Sequence, residues 1–170
     1  MSPPQVFLLD ANVFMEAARR YYALDIAPGF WDALIEHARN GRVRSIDKIK
    51  GEIDRGKDNL KRWANGSFSE WFDSTNQQDV IDAYSNLMIW AQRETQYTAA
   101  AKAEFASSPD GWLIAYASAK GCVVVTHEQY DSEIKKRIKI PNACRGVGVR
   151  YTNTFHMLRE LGVRLNFPST

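Results

Sequence analysis

Cysteine is scarce in this chain: Cys122 and Cys144 are the only two among 170 residues. Two cysteines make no disulfide framework, which excludes the small secreted scaffolds that staple a weak core. Neither stands in a C-x-x-C pair, and His37, His127 and His156 are not at metal-ligand spacing, so no zinc signature is present. Long apolar runs are missing too. Val6–Leu9 stops at Asp10, far short of a signal-peptide core, and no basic segment precedes it. No stretch is apolar enough for long enough to span a bilayer. The expectation is a chain without leader or membrane segment that works in the cytoplasm. An excess of one charge is also lacking: 22 Lys and Arg face 20 Asp and Glu, a net charge of +2 that names no partner by itself. Repeats, low-complexity runs and convincing linkers are absent.

What is present is a substantial core composition, 45% hydrophobic, on a length that suits one domain. Short apolar runs alternate with helical periodicity. Gln5–Leu9 reads as a buried strand, and Ala11–Tyr22 as a helix with Val13, Ala17 and Tyr21 on one face. Phe30–Arg39 is a second helix, closed by Asn40-Gly41. Arg42–Ile46 is a short strand. A helix follows from Asp47 through Ile49 and Ile53 toward Trp63, weakened by Gly51 and Gly56. Asp79–Gln96 and Thr98–Phe105 read as helices, and Ser107-Ser108-Pro109-Asp110 starts another that ends at Gly121. Cys122–Val125 is apolar throughout, as strands buried on both faces of a parallel sheet are. Strand candidates at 148–151 and Val163–Asn166 flank a helix over Thr154–Leu161. The alternation predicts an α/β fold, a three-layer α/β/α sandwich around a mainly parallel sheet. The domain is expected to span 1–170, with a helical and aromatic insertion around 63–105.

In such sheets ligands sit beyond the carboxyl ends of the strands. Asp10 follows the first strand, and Glu128 lies just past Cys122–Val125. Asp110 opens the helix leading into that strand, and Glu52 lies in the helix after Arg42–Ile46. Each acid also has a bland reading. Asp10 and Asp110 can cap helices. Glu52 can pair with Lys48 or Arg55 on an exposed face, and Glu128 can be a loop acid. Gathered together, however, four carboxylates repel one another, and a divalent cation is the usual reason to keep them so. An all-oxygen set suits Mg²⁺ or Mn²⁺. Two basic regions, one including Lys48, Lys50 and Arg55 and the other Lys135, Lys136, Arg137 and Lys139, can attract phosphate or simply be solvated faces.

These residues resemble the motifs of the PIN-domain nucleases. "LLDANVFMEA" is similar to that family's first motif, with Asp10 ending strand one and Asn12 two places later. "VRSIDKIKGEI" supplies Glu52 as the second acid. "SPDGWLIAYASAKGCVVVT" resembles the third motif through Asp110. "VVTHE" stands at the fourth with Thr126 and Glu128, where many relatives carry Asp. Asp131 is a substitute for Glu128, and Asp54 a rival to Glu52. The resemblance runs from strand one to "VGVRYTNTFHMLRELGV". "EAARRYYALDIAPGFWDAL" is similar to a mostly uncharacterised bacterial subgroup.

The resemblance implies metal-assisted hydrolysis of RNA phosphodiesters. Asp10 and Asp110 would be direct Mg²⁺ or Mn²⁺ ligands, with Glu52 and Glu128 holding waters or a second ion. Asn12 and Thr126 would orient the acids by hydrogen bonds. Lys48, Lys50, Arg55, Lys135, Lys136 and Arg137 are the expected phosphate contacts; Trp63, Phe68, Trp71 and Phe72 could stack bases, but Trp and Phe at turns between helices are more often core or interface. Many PIN proteins of this size are toxins, which implies an antitoxin partner. An apolar surface near Phe30-Trp31 or Trp71-Phe72 could be its docking site or a homodimer interface. Two rival readings remain. A haloacid-dehalogenase-type phosphotransferase needs a second Asp where Asn12 stands. A PIN-like fold with a degraded site would bind RNA or protein without cutting.

Overall fold

The computed structural model describes residues 3–167. Five parallel strands form one sheet in the order β3-β2-β1-β4-β5. β1 (Phe7–Leu9) is central, between β2 (Val43–Ile46) and β4 (Val123–Val125). All residues of β1 and β4 are buried, which explains why both read as unbroken apolar runs. The edges, β3 (Phe72–Asp73) and β5 (Tyr151–Thr152), are two residues each, and so short an edge offers little template for foreign strands. The chain moves outward through β2 and β3, then returns to the other side of β1 for β4 and β5. The direction of winding therefore reverses between β1 and β4.

Helices flank the sheet. α1 (Ala11–Glu16) follows β1, α2 (Pro28–Arg39) precedes β2, and α3 (Asp47–Asp54) and α4 (Asn59–Gly66) follow it. α5 (Gln78–Arg93), α6 (Ala99–Ser107) and α7 (Pro109–Lys120) lie between β3 and β4. α8 (Ile140–Val147) and α9 (Thr154–Glu160) bracket β5. α7 packs against α5, α8 and α3. Gly146 on α8 is where the Trp90 indole of α5 lies, and any Cβ there would sit 2.3 Å from that ring.

The structure corrects several local expectations. The first helix is not α-helical to Tyr22. From Ala17 to Tyr21 it is a π-helix, with the Tyr22 amide reaching back to Ala17 O at 2.7 Å. The Trp31 indole donates to Tyr22 O at 2.6 Å and fixes that end. The helix from Asp47 does not run on to Trp63. The Arg55 and Gly56 amides turn back to Glu52 O and Ile53 O, three-residue bonds that close α3 before α4 begins. Val163–Asn166 is not a strand. Beyond Gly162 the chain leaves the sheet, and Leu165 packs over Gly29 of α2.

Of the two readings of the aromatics, the core one holds: they pack together, with Trp63 alone partly exposed. Phe14 meets Trp63, Phe68 and Phe72 with ring centroids 5.6–6.1 Å apart, and Trp31 meets Trp63 at 4.7 Å. Phe30, Trp31, Phe68, Trp71 and Phe72 are all buried. Burying so much apolar area outweighs any gain from leaving such rings free for a ligand.

Candidate active site

The reversal between β1 and β4 puts Asp10 and Thr126 side by side. The Asp10 amide donates to Val125 O at 3.0 Å, and the Thr126 amide donates to Thr152 O at 2.9 Å. Buried Ser45 donates its hydroxyl to Leu9 O at 2.7 Å, tying the tip of β2 to the tip of β1. The backbone beneath the site is thus held from three strands. Asp10 occupies the cap position of α1, yet its side chain makes no capping hydrogen bond. Instead it accepts the Thr126 hydroxyl at 3.1 Å, and only 3% of its surface is exposed. The Thr126 hydroxyl in turn accepts the Glu128 amide at 3.1 Å. Asp110 is not the cap of its own helix either. Ser108 caps α7, accepting the Asp110 amide at 3.1 Å, so the Asp110 carboxylate is not spent on capping.

The electrostatics follow from this crowding. Burial, then the charges of Asp110 and Glu128, push the Asp10 carboxyl up to about 8. Burial, then Glu128 and Glu52, push Asp110 up to about 6, against the pull of Arg137. Burial raises Glu52 as well, opposed by Arg55. Asp10 thus feels Asp110 and Glu128, and Asp110 feels Glu128 and Glu52, which puts these pairs within electrostatic reach of each other.

They do not contribute alike. Both oxygens of the Glu128 carboxylate are engaged: one pairs with the Arg137 guanidinium, the other accepts the Ile140 amide of α8 at 2.7 Å. Asp131, the substitute for Glu128, is exposed and spends one carboxylate oxygen on the Glu133 amide at 3.0 Å. Asp54, the rival to Glu52, is tied to Lys50 at 2.8 Å and to Asn65 at 2.7 Å. Asn12 is exposed on the first turn of α1, with no hydrogen bond to Asp10 or Thr126 among the described residues. Of the basic residues, Lys50 and Arg137 are paired with acids. Lys48, Arg55, Lys135 and Lys136 are exposed.

Two roles lay outside the reading of the sequence. Arg137 serves the acid cluster, a partnership nine residues apart along an irregular loop that carries no periodic signal. Trp112, two places after Asp110, stays partly exposed and lies near the ammonium of Lys48.

The donor chemistry fits a hard divalent cation. Neither Asp10 nor Asp110 forms an ion pair among the described residues. No three His, Cys, Asp or Glu side chains among the described residues gather closely enough to hold one ion together. Two carboxylates are the usual protein share for Mg²⁺, which keeps several waters.

A family model described as "Domain of unknown function (DUF4411)" matches residues 7–165. No curated protein matches the sequence. In three dimensions the chain is similar to the crystal structure of FitAcB from Neisseria gonorrhoeae, with a TM-score of 0.55 and 16% identity over 89% of this chain and 99% of that one. The likeness is one of fold, and the fold is PIN-like.

Proposed function

The chain belongs to the DUF4411 family, and from that premise we propose that it is a Mg²⁺- or Mn²⁺-dependent endoribonuclease, the toxin of a toxin–antitoxin pair. One observation carries the reading. Asp10 is buried at the reversal point of a PIN-like sheet, next to a second raised carboxyl, and does not cap the helix it precedes. A structure tolerates uncompensated buried carboxylates when a cation is their partner.

Asp10 and Asp110 would hold the ion directly. When bound, it would acidify a coordinated water and neutralise charge on the phosphate and the leaving oxygen. Thr126 fixes the rotamer of Asp10 through its hydroxyl. Half-buried Glu52 would accept hydrogen bonds from water near the ion. Glu128, engaged by the Arg137 side chain and the amide at the start of α8, would act at one remove. Lys48, Arg55, Lys135 and Lys136 would meet the substrate backbone. RNA as the substrate rests on the PIN-like resemblance.

The test is cleavage of an RNA panel with Mn²⁺. Activity should vanish with chelator and fall at least a hundredfold in Asp10→Asn and Asp110→Asn, each of which removes a metal ligand. Expression without a partner should arrest bacterial growth, and Asp110→Asn should relieve the arrest. The engaged state of Glu128 favours a second reading, a binding module on a nuclease fold. RNA binding with no metal-dependent cleavage by the native chain would establish that reading instead.

A further inference from the structure

On the α7 side of the acids, the rings of Tyr84 and Trp112 lie 3.9 Å apart at an interplanar angle of 7°. Both are partly exposed, unlike the buried aromatic cluster around Phe68. The pair is held in place from behind. The Tyr84 hydroxyl donates to Ala106 O at 2.9 Å. Gly111 lets α7 approach α5 closely, since a Cβ there would lie 3.1 Å from Met88 Cε and 3.2 Å from Tyr84 Cε2. At 3.9 Å nothing fits between the two rings, so Tyr84 backs one face of the indole. The Lys48 ammonium lies over the Trp112 ring, 5.6 Å from its centroid; this exposed side chain forms no ion pair among the described residues, and a base would take the place over the indole that it now holds. Trp112 stands two residues beyond Asp110, and Lys48 one helical turn before Glu52, on packed helices. The aromatic plane and the cation thus stand where α3 packs against α7, the helices that carry Glu52 and Asp110.

We propose that Trp112, backed by Tyr84 and flanked by Lys48, is a stacking platform for a nucleobase of a single-stranded nucleic acid, with Lys48 taking the phosphate of the stacked nucleotide. The inference rests on the nuclease reading and adds a base subsite to it. Stacking on an indole is open to any base and absent in a paired duplex, so the platform selects unpaired strands.

Binding is measured with chelator present, so that cleavage does not intervene. The probes are a labelled oligoadenylate RNA and the same strand made abasic. The native chain should bind the oligoadenylate about tenfold more tightly than the abasic strand. Trp112→Leu should lose that preference while binding the abasic strand as the native chain does. Trp112→Phe, which keeps an aromatic face and guards against a folding defect, should retain most of it. Equal binding of both strands by the native chain overturns the platform, as does a preference unchanged in a folded Trp112→Leu. A native chain that shows the preference yet never cleaves RNA with Mn²⁺ overturns the nuclease reading and leaves the platform standing.

Discussion

Asp10 sits where its charge costs most. Its carboxyl is pushed from 3.8 to about 8, first by burial. A raised carboxyl binds its proton more tightly folded than unfolded, so it stabilises the fold below about pH 4, and that contribution is lost as pH rises toward 8. Asp110 adds the same sign up to about pH 6. Asp54 and Asp79, held low by hydrogen bonds from Lys50 and Lys120, act oppositely, and only below about pH 4. The metal-free protein should therefore lose stability from pH 4 to 8, by up to about 1.4 kcal/mol per unit for each proton released. Denaturant melts across that range should show this slope, and Asp10→Asn should flatten it above pH 6. Mn²⁺ at a hundred times its dissociation constant should stabilise the native chain by about 2.7 kcal/mol at pH 8, some 5–10 °C in melting temperature. It should leave Asp10→Asn unmoved. An unchanged native melting temperature at that concentration argues against a metal at Asp10.

Among the elements, the link from β4 to α8 decides what Glu128 does. Its carboxylate joins the loop, through Arg137, to the first amide of α8. Ala at this position leaves the Ile140 amide without its partner, a loss of about 1–3 kcal/mol for a partly buried donor. Because both oxygens are already engaged, by Arg137 and by the Ile140 amide, Glu128→Ala should keep most of the Mn²⁺-induced rise in melting temperature, whereas Asp110→Ala should lose it. The reverse pattern would make Glu128 a ligand. The sequence shows the acids but not this division of labour. Asp10 and Asp110 are legible because each ends or begins an element with clear punctuation: an apolar run before one, Ser-Pro before the other. The partner of Glu128 lies in a loop with no periodicity, and the capping role read into Asp110 belongs to Ser108, two residues earlier. The π-segment was hidden for a similar reason. The Trp31 indole that fixes its end comes from the next helix, a contact invisible to local spacing.

Over the whole molecule, the parallel sheet was readable because β1 and β4 are buried on both faces and so lack polar residues. The aromatics leave two readings open in sequence, base-stacking surface or core, because a Trp- and Phe-rich stretch reads alike in both; the tertiary packing of Phe14 against Trp63, Phe68 and Phe72 decides for core. The Tyr84–Trp112 pair joins residues on two helices and left no local signature. A net charge of +2 likewise hid the distribution of charge. Lys50 and Arg137 are neutralised by acids, while Lys48, Arg55, Lys135 and Lys136 form no ion pair among the described residues. If these four meet the backbone of a single strand, log affinity against log salt should fall with a slope of about −3, since each phosphate contact on a single strand contributes about −0.7. Charge removal at Lys135 and Lys136 together should bring the slope to about −1.5 and weaken binding alike for every sequence. A slope near zero in the native chain would mean that phosphate is not what these lysines and Arg55 hold, and that the basic regions are solvated faces.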